Sequence, residues 1–246
     1  MSRTARQKST TGYMHVIEKG NGGQLLFESA SDYRKYLLLL QKNCEETNVK
    51  ICAFCLMENH VHLLTYSDSD SLLLLMRKLG ISYAEYFNRK YDRTGHLFQD
   101  RYKSEPIEDE RYLLTVFRYI ILNPQKAGIK MAKDYTWSSY KLYNNPPKFM
   151  DMSLIRELIG DFEHYEDFIH SDNDDKCLEC GSYRRSDSWA INEIKKVLGV
   201  DNCSAIMSFE KSQRDEAIIT LKKMGLSVRQ IERLTGISRG VIQKIK

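Results

Sequence analysis

The sequence predicts an α+β fold: an antiparallel sheet with helices packed on it, followed by a smaller all-helical segment. Three observations carry that prediction. Two β-rich runs, residues 49–57 and 60–66, are separated only by Glu58-Asn59, the spacing of an antiparallel hairpin. Strand-like and helical patterns alternate as far as about Tyr143. Beyond the breaker cluster Asn144-Asn145-Pro146-Pro147, strand-like alternation gives way to helical periodicity.

Taken in order, Gly12 to Ile17 and Gln24 to Phe27 read as short strands joined by the turn residues Lys19-Gly20-Asn21-Gly22-Gly23. Ser29 or Ser31 caps a helix through about Cys44, with Tyr33, Tyr36, Leu37 and Leu40 at helical spacing. The hairpin then sets His60 and His62 at the start of its second arm. Residues 70–91 read as a long helix with Leu72, Leu75, Met76, Leu79, Tyr83 and Phe87 on one side and Gly80 as a point of bending. His96 to Pro106 reads as extended, basic and aromatic. A helix from Asp109 to Leu122 is expected to stop at Asn123-Pro124, because the residue before a proline is biased away from helical dihedrals. This gives a first domain at residues 1–143, an acidic helical linker region at 144–210 with a loop or hinge at 171–175, and a tail at 211–246.

The bulk properties fit that division. A chain of 246 residues with 42% apolar and 28% charged side chains can bury one sizeable core or two modest ones. No run approaches the roughly 20 apolar residues that span a bilayer, and the start lacks the apolar stretch of a secretory signal, so a cytoplasmic protein without a membrane partner is expected. The six cysteines are expected to be free thiols. Cys177 and Cys180 form a lone CxxC without a second ligand pair, which argues against a zinc site. The formal net charge of +4 is unevenly spread: residues 150–210 carry 6 basic and 14 acidic side chains, whereas residues 211–246 carry 9 and 3. Basic blocks flanking an acidic middle suggest two surfaces for a polyanion, although charges of either sign also solvate helices.

Successive strand side chains face opposite ways, so His60 and His62 project from one face and can share a metal ion. The same pair also suits an ordinary half-buried strand. Tyr119 and Asn123, one helical turn apart, share a face on which a phenol meets an amide oxygen. An aromatic helix face packed into the core has the same spacing, with Tyr112 on the stripe of Tyr119.

The runs Met57-Glu58-Asn59-His60-Val61-His62-Leu63-Leu64 and Tyr119-Ile120-Ile121-Leu122-Asn123-Pro124 resemble those of HUH-type single-tyrosine transposases of the IS200 group and their REP-associated relatives. The stretches at residues 11–16, 94–104 and 135–140 resemble that family in the same order, so the likeness covers residues 11 to about 143. It implies an HUH endonuclease-like sheet of the ferredoxin/RRM-like kind. It implies that His60, His62 and Asn123 hold Mg²⁺ or Mn²⁺, with open positions suited to Lewis-acid activation of a phosphate. It makes Tyr119 the nucleophile that forms a 5′-phosphotyrosyl bond and frees a 3′-hydroxyl. Single-stranded or hairpin DNA is the implied partner, with the active unit a monomer or a homodimer. Many relatives have proline where this chain has Glu58, which reads as a turn variation. His15 and His96 stand as structural residues or supports of the metal or DNA.

Arg89, Lys90, Arg93, Arg101 and Lys103, interleaved with Tyr86, Tyr91, Phe98 and Tyr102, form a basic and aromatic cluster suited to single strands. The tail resembles a helix-turn-helix: residues 217–224, 228–234 and 238–245 are helical in pattern, and Arg239, Gln243 and Lys244 would face a groove. Two other readings stay open. One is a regulator that binds hairpins without cutting them, and the other is a rolling-circle replication initiator. The sequence has no phosphate-binding loop of the Walker kind, which favours a transposase over the latter.

Overall fold

The computed structural model describes residues 7–171, 177–178 and 187–245, apart from the side chains of Ser188, Trp189 and Arg229. The chain divides into two compact units, residues 1–181 and 182–246.

The first unit contains β1 (Tyr13–Lys19), α1 (Ala30–Thr47), β2 (Lys50–Met57), β3 (His60–Tyr66), α2 (Ser69–Lys90), β4 (Lys103–Ile107), α3 (Glu110–Lys126), α4 (Ser153–Ile159) and α5 (Phe162–His170). The four strands form one sheet in the order β2-β3-β1-β4, and every pairing is antiparallel. Ile17 lies opposite His62 on one side and Lys103 on the other, while Lys19 lies opposite His60. Partners opposite each other share a face. His15, Ile17, Lys19, His60, His62, Lys103 and Glu105 therefore project from a single face of the sheet. Glu18 projects from the other face, where Tyr36 of α1 donates a hydrogen bond to its carboxyl and Gly80 of α2 lies against it. Helices thus cover the sheet on both sides: α1 and α2 on the Glu18 side, α3 on the histidine side.

The expected hairpin between residues 12–17 and 24–27 does not form. The glycine-rich segment makes a 3-10 turn over Asn21–Gly23, in which Gly22 and Gly23 take φ of 61° and 80°, and the chain turns away from β1. Leu26 and Phe27 instead donate their N–H groups to the Glu58 carbonyl and enter the core. The extended piece expected over residues 96–106 shortens to β4, an edge strand that tolerates Pro106 because it pairs with β1 alone. Helix α3 does not stop at Asn123-Pro124. It runs one turn further to Lys126, with the Ala127 N–H closing on the Asn123 carbonyl, because the buried face from Leu113 to Pro124 holds the turn against the sheet. Gly80 interrupts nothing, and α2 is continuous.

The boundary expected after Tyr143 also moves. The outer edge of β2 is covered by residues 137–139 and 149–151: Leu56 donates to the Trp137 carbonyl, Ser139 to the Phe54 carbonyl, and Asp151 to the Ile51 carbonyl. An open strand edge exposes unpaired N–H and C=O groups, so this cover ties the segment to the sheet. Phe149, Met150, Ile155, Tyr165 and Ile169 join the same core, so residues 144–170 complete the first unit rather than link it to a tail. The proposed hinge at residues 171–175 lies outside the described residues beyond Ser171.

The second unit holds α6 (Asp187–Leu198), α7 (Lys211–Lys223), α8 (Val228–Thr235) and α9 (Arg239–Lys244) around Ile194, Ile206, Ile218, Leu221, Ile231 and Ile242. Residues 187–210, expected within the linker, supply Ala190, Ile194, Cys203 and Ile206 to this core. Ser227 caps α8 through the Gln230 N–H, and Gly236, at φ 77°, ends it. Among the described residues Cys44, Cys52, Cys55 and Cys203 are free thiols, and Cys180 lies outside the described residues. Among the described residues no helix is long and apolar enough to cross a membrane.

Candidate functional site

His60 and His62 stand side by side on β3, with ring centroids 5.0 Å apart and planes at 81°. Tyr119, from α3, lies edge-on to His62 at 5.5 Å and to His15 at 6.0 Å. Asn123 lies one turn beyond Tyr119 on the same helix and is fully buried, as is His62. The sheet register and the helical turn thus bring together residues that lie far apart in the sequence.

Hydrogen bonds orient the rings. His60 Nδ1 is 2.7 Å from Asn59 Oδ1, so this nitrogen donates and Nε2 keeps its lone pair. His62 Nδ1 is 3.1 Å from His15 Nε2, and the two rings stack at 5.3 Å. When His62 donates in that bond, its Nε2 is likewise an acceptor. Burial pushes the basicity of all three imidazoles down, His15 to about 3 and His60 to about 4, the latter helped by Lys19; His62 falls well below its usual range. Asn123 partly opposes the fall at His60. The rings are therefore neutral near pH 7, the form in which imidazole binds metals.

The set has unmet polar atoms. His62 Nε2 and both amide atoms of Asn123 are buried, and none meets a hydrogen-bond partner at good geometry, although Asn123 lies close enough to His60 to favour its charged form. Leaving such an atom unsatisfied costs about 1–3 kcal/mol, so a cluster of them marks a place built for a ligand. Among the described residues no three His, Cys, Asp or Glu side chains gather to hold a metal. A cation here would take two imidazoles and an amide oxygen and keep open positions. That donor set suits an oxygen-seeking divalent ion with room for phosphate and water better than a closed structural zinc site.

Two features of the site were not visible in the sequence. The bond from His15 to His62 depends on strand register, which one sequence does not reveal. Lys126, close to one turn past Asn123, holds its ammonium 5.2 Å from the Tyr119 ring centroid. Pro124 would have argued against that extra turn. Glu58 sits in the two-residue turn before His60, its carbonyl engaged by Leu26 and Phe27, and its charge falls near Tyr33 and Tyr135. His96 is exposed and takes no place beside the histidine pair.

The basic cluster is divided. Arg101 and Lys103 are exposed on the histidine side, beside Ile17 and Lys19. Lys90 pairs with buried Asp32, which also accepts from Tyr86 and Tyr91, and Arg93 donates to Gln24 and lies over Phe87. Those two cations brace the α1–α2 side, with Arg89 exposed next to them. In the second unit Arg239, Gln243 and Lys244 are exposed on α9, and Arg239 pairs with Glu232 at 2.9 Å.

Residues 10–123 match the family model described as IS200-like transposase. A protein of Haemophilus influenzae whose name marks it as a REP-associated tyrosine transposase is 25% identical over 112 residues, covering 41% of this chain. The chain spans 64% of that relative's length. The fold resembles the solved structure of a REP-associated tyrosine transposase bound to a REP hairpin, with a TM-score of 0.55 and 16% identity over 76% of this chain and 100% of that one.

Proposed function

From the match of residues 10–123 to the IS200-like transposase family we propose that the protein is a metal-dependent transposase that cuts and rejoins single-stranded DNA beside hairpins through Tyr119. The observation that carries this reading is the meeting of Tyr119 with His62, His60 and Asn123, around buried atoms of His62 and Asn123 whose hydrogen-bonding capacity is unmet.

In this reading His60 and His62 through Nε2, and Asn123 through its amide oxygen, hold Mg²⁺ or Mn²⁺, which supplies Lewis-acid polarisation of the scissile phosphate. His15 fixes the ring of His62 from behind, and Asn59 does the same for His60. Lys126 gives Tyr119 a positive neighbour that favours its phenolate as the proton leaves. The phenolate oxygen bonds to phosphorus, the bond from phosphorus to the 3′-oxygen breaks, and the DNA keeps a free 3′-hydroxyl. The 5′-phosphotyrosyl linkage conserves the bond energy. A 3′-hydroxyl from a second strand then attacks phosphorus, expels Tyr119 and completes the transfer.

Arg101 and Lys103 offer cations to the backbone of that strand. The helix pair α8–α9 serves as a helix-turn-helix, with Arg239, Gln243 and Lys244 toward duplex DNA. The hairpin in the related structure supports hairpin DNA as the ligand here. The protein acts in the cytoplasm, as a monomer or a homodimer. Incubation of the full chain with single-stranded hairpin oligonucleotides and Mn²⁺ tests the reading. A covalent adduct that survives denaturation, and is lost in Tyr119→Phe while hairpin binding persists, is the expected result. An adduct that persists in Tyr119→Phe sinks it.

A further inference from the structure

On the histidine face of the sheet, one strand over from His62, lies an open cavity of about 160 Å³ lined by Ile17, Lys19, Gln99, Asp100, Arg101 and Lys103. We propose that it is a pocket for one unpaired base of the DNA strand next to the scissile phosphate, and that Asp100 makes it prefer guanine. The proposal rests on the reading of this protein as a single-strand DNA enzyme.

Four properties argue for it. The position is right: Ile17 pairs directly with both His62 and Lys103, and neighbouring strands lie about 5 Å apart, so the cavity is within a nucleotide's reach of the histidines. The wall is held in place. Gln99 donates its N–H to the Lys19 carbonyl, Asn21 donates to the Leu97 carbonyl, and Phe98 bridges to Gly20, so the 97–99 segment is fixed to the end of β1. The size is sufficient: about 160 Å³ leaves room for one planar base. The chemistry is mixed in a useful way: Lys19, Arg101 and Lys103 suit phosphates, Ile17 suits a ring face, and Gln99 and Asp100 suit a base edge.

The guanine preference follows from donors and acceptors. A carboxylate only accepts hydrogen bonds. Among the four bases, guanine alone turns two adjacent donors, N1–H and the N2 amino group, toward one carboxylate when its pairing edge is free. Single strands expose that edge.

The test uses the full chain carrying Tyr119→Phe, so that binding is read without cutting. Fluorescence anisotropy follows a labelled oligothymidine of about 15 nucleotides, a length typical of single-strand sites, and versions with one central deoxyguanosine, deoxyinosine, deoxyadenosine or deoxycytidine. The guanosine version should bind about tenfold tighter than the others, the size of effect typical of one bidentate contact. Inosine, which lacks the N2 amino group, should lose most of that gain. Asp100→Asn should erase the preference and leave oligothymidine binding equal or stronger, whereas Lys103→Gln should weaken every probe and keep the ratio. Equal affinities for all probes, or a preference that survives Asp100→Asn, would overturn the proposal. Failure of the Tyr119 adduct with the base preference intact would instead overturn the transposase reading alone.

Discussion

Glu18→Gln is expected to stabilise the first unit at pH 8 and to leave it level or slightly weaker at pH 5. Glu18 lies on the face of β1 opposite the histidines and is 6% exposed, with its carboxyl accepting from Tyr36 at 3.2 Å. Burial pushes its pKa from 4.5 up to about 8, and the Tyr36 bond offsets only part of the rise. In the unfolded chain the carboxyl ionises near 4.5, while the folded chain keeps the proton until about 8. Between those values folding takes up a proton, so the stabilisation is full below 4.5 and is lost as pH rises through 8. At about 1.36 kcal/mol for each pH unit, the loss is at most about 5 kcal/mol. Glutamine escapes that loss but leaves an extra buried N–H, which costs about 1–3 kcal/mol. A net gain of about 2 kcal/mol at pH 8 corresponds to a urea midpoint raised by roughly 1 M. Trp137 reports this unit, so the transition is followed by fluorescence in a Trp189→Phe background. Equal midpoints at pH 8 with and without the Glu18→Gln substitution would show that burial does not hold the proton on Glu18.

Other consequences concern the site. His15→Ala should weaken Mn²⁺ binding about 10- to 100-fold while hairpin binding stays within about twofold, because His15 orients His62 from behind; Mn²⁺ titration by electron paramagnetic resonance reads both the metal affinity and its unchanged stoichiometry. An affinity equal to that of the unaltered chain would show that His15 does not position His62 for the metal. Lys126→Ala should slow adduct formation about five- to tenfold near pH 7, with Lys126→Arg restoring most of the rate, and single-turnover assays check both. Because burial holds His60 down to about 4 and His62 well below its usual range, the imidazoles stay neutral well below the usual 6.5. Mn²⁺ affinity at about pH 5.5 should then fall within a few-fold of its value at about pH 7.5, and a steep loss near pH 6.5 would contradict the buried geometry.

Where the sequence and the structure agree, the signal was local. The hairpin of β2 and β3 follows from two β-rich runs and a two-residue turn, and α1, α2 and the tail helices follow from periodicity, with Ser29 the expected cap of α1. The opening hairpin failed because its glycines were read as a strand-joining turn, whereas the partners of β1 lie far along the chain, on β3 and β4. The boundary near Tyr143 failed for a related reason. Breakers such as Pro146 and Pro147 mark a turn but do not say that residues 149–151 return to cover the edge of β2. The pairing of His60 and His62 on one face was legible from the two-residue period, and Tyr119 with Asn123 from the helical turn. That these two pairs meet depended on tertiary packing, and only the family resemblance joined them in the sequence. The expected basic cluster shows the limit of sequence proximity: Lys90 and Arg93 turn to Asp32 and Gln24, while Arg101 and Lys103 reach the histidine face.

In the proposed reaction Tyr119 becomes covalently joined to DNA at this site. Peptide mass spectrometry after protease and nuclease digestion of the Mn²⁺ reaction with single-stranded hairpin DNA measures it directly. The expected product is a nucleotide attached through a 5′-phosphate to the peptide that contains Tyr119, absent when His62 is replaced by alanine. Attachment to any other tyrosine, or cleavage that leaves no protein-bound nucleotide, would contradict it.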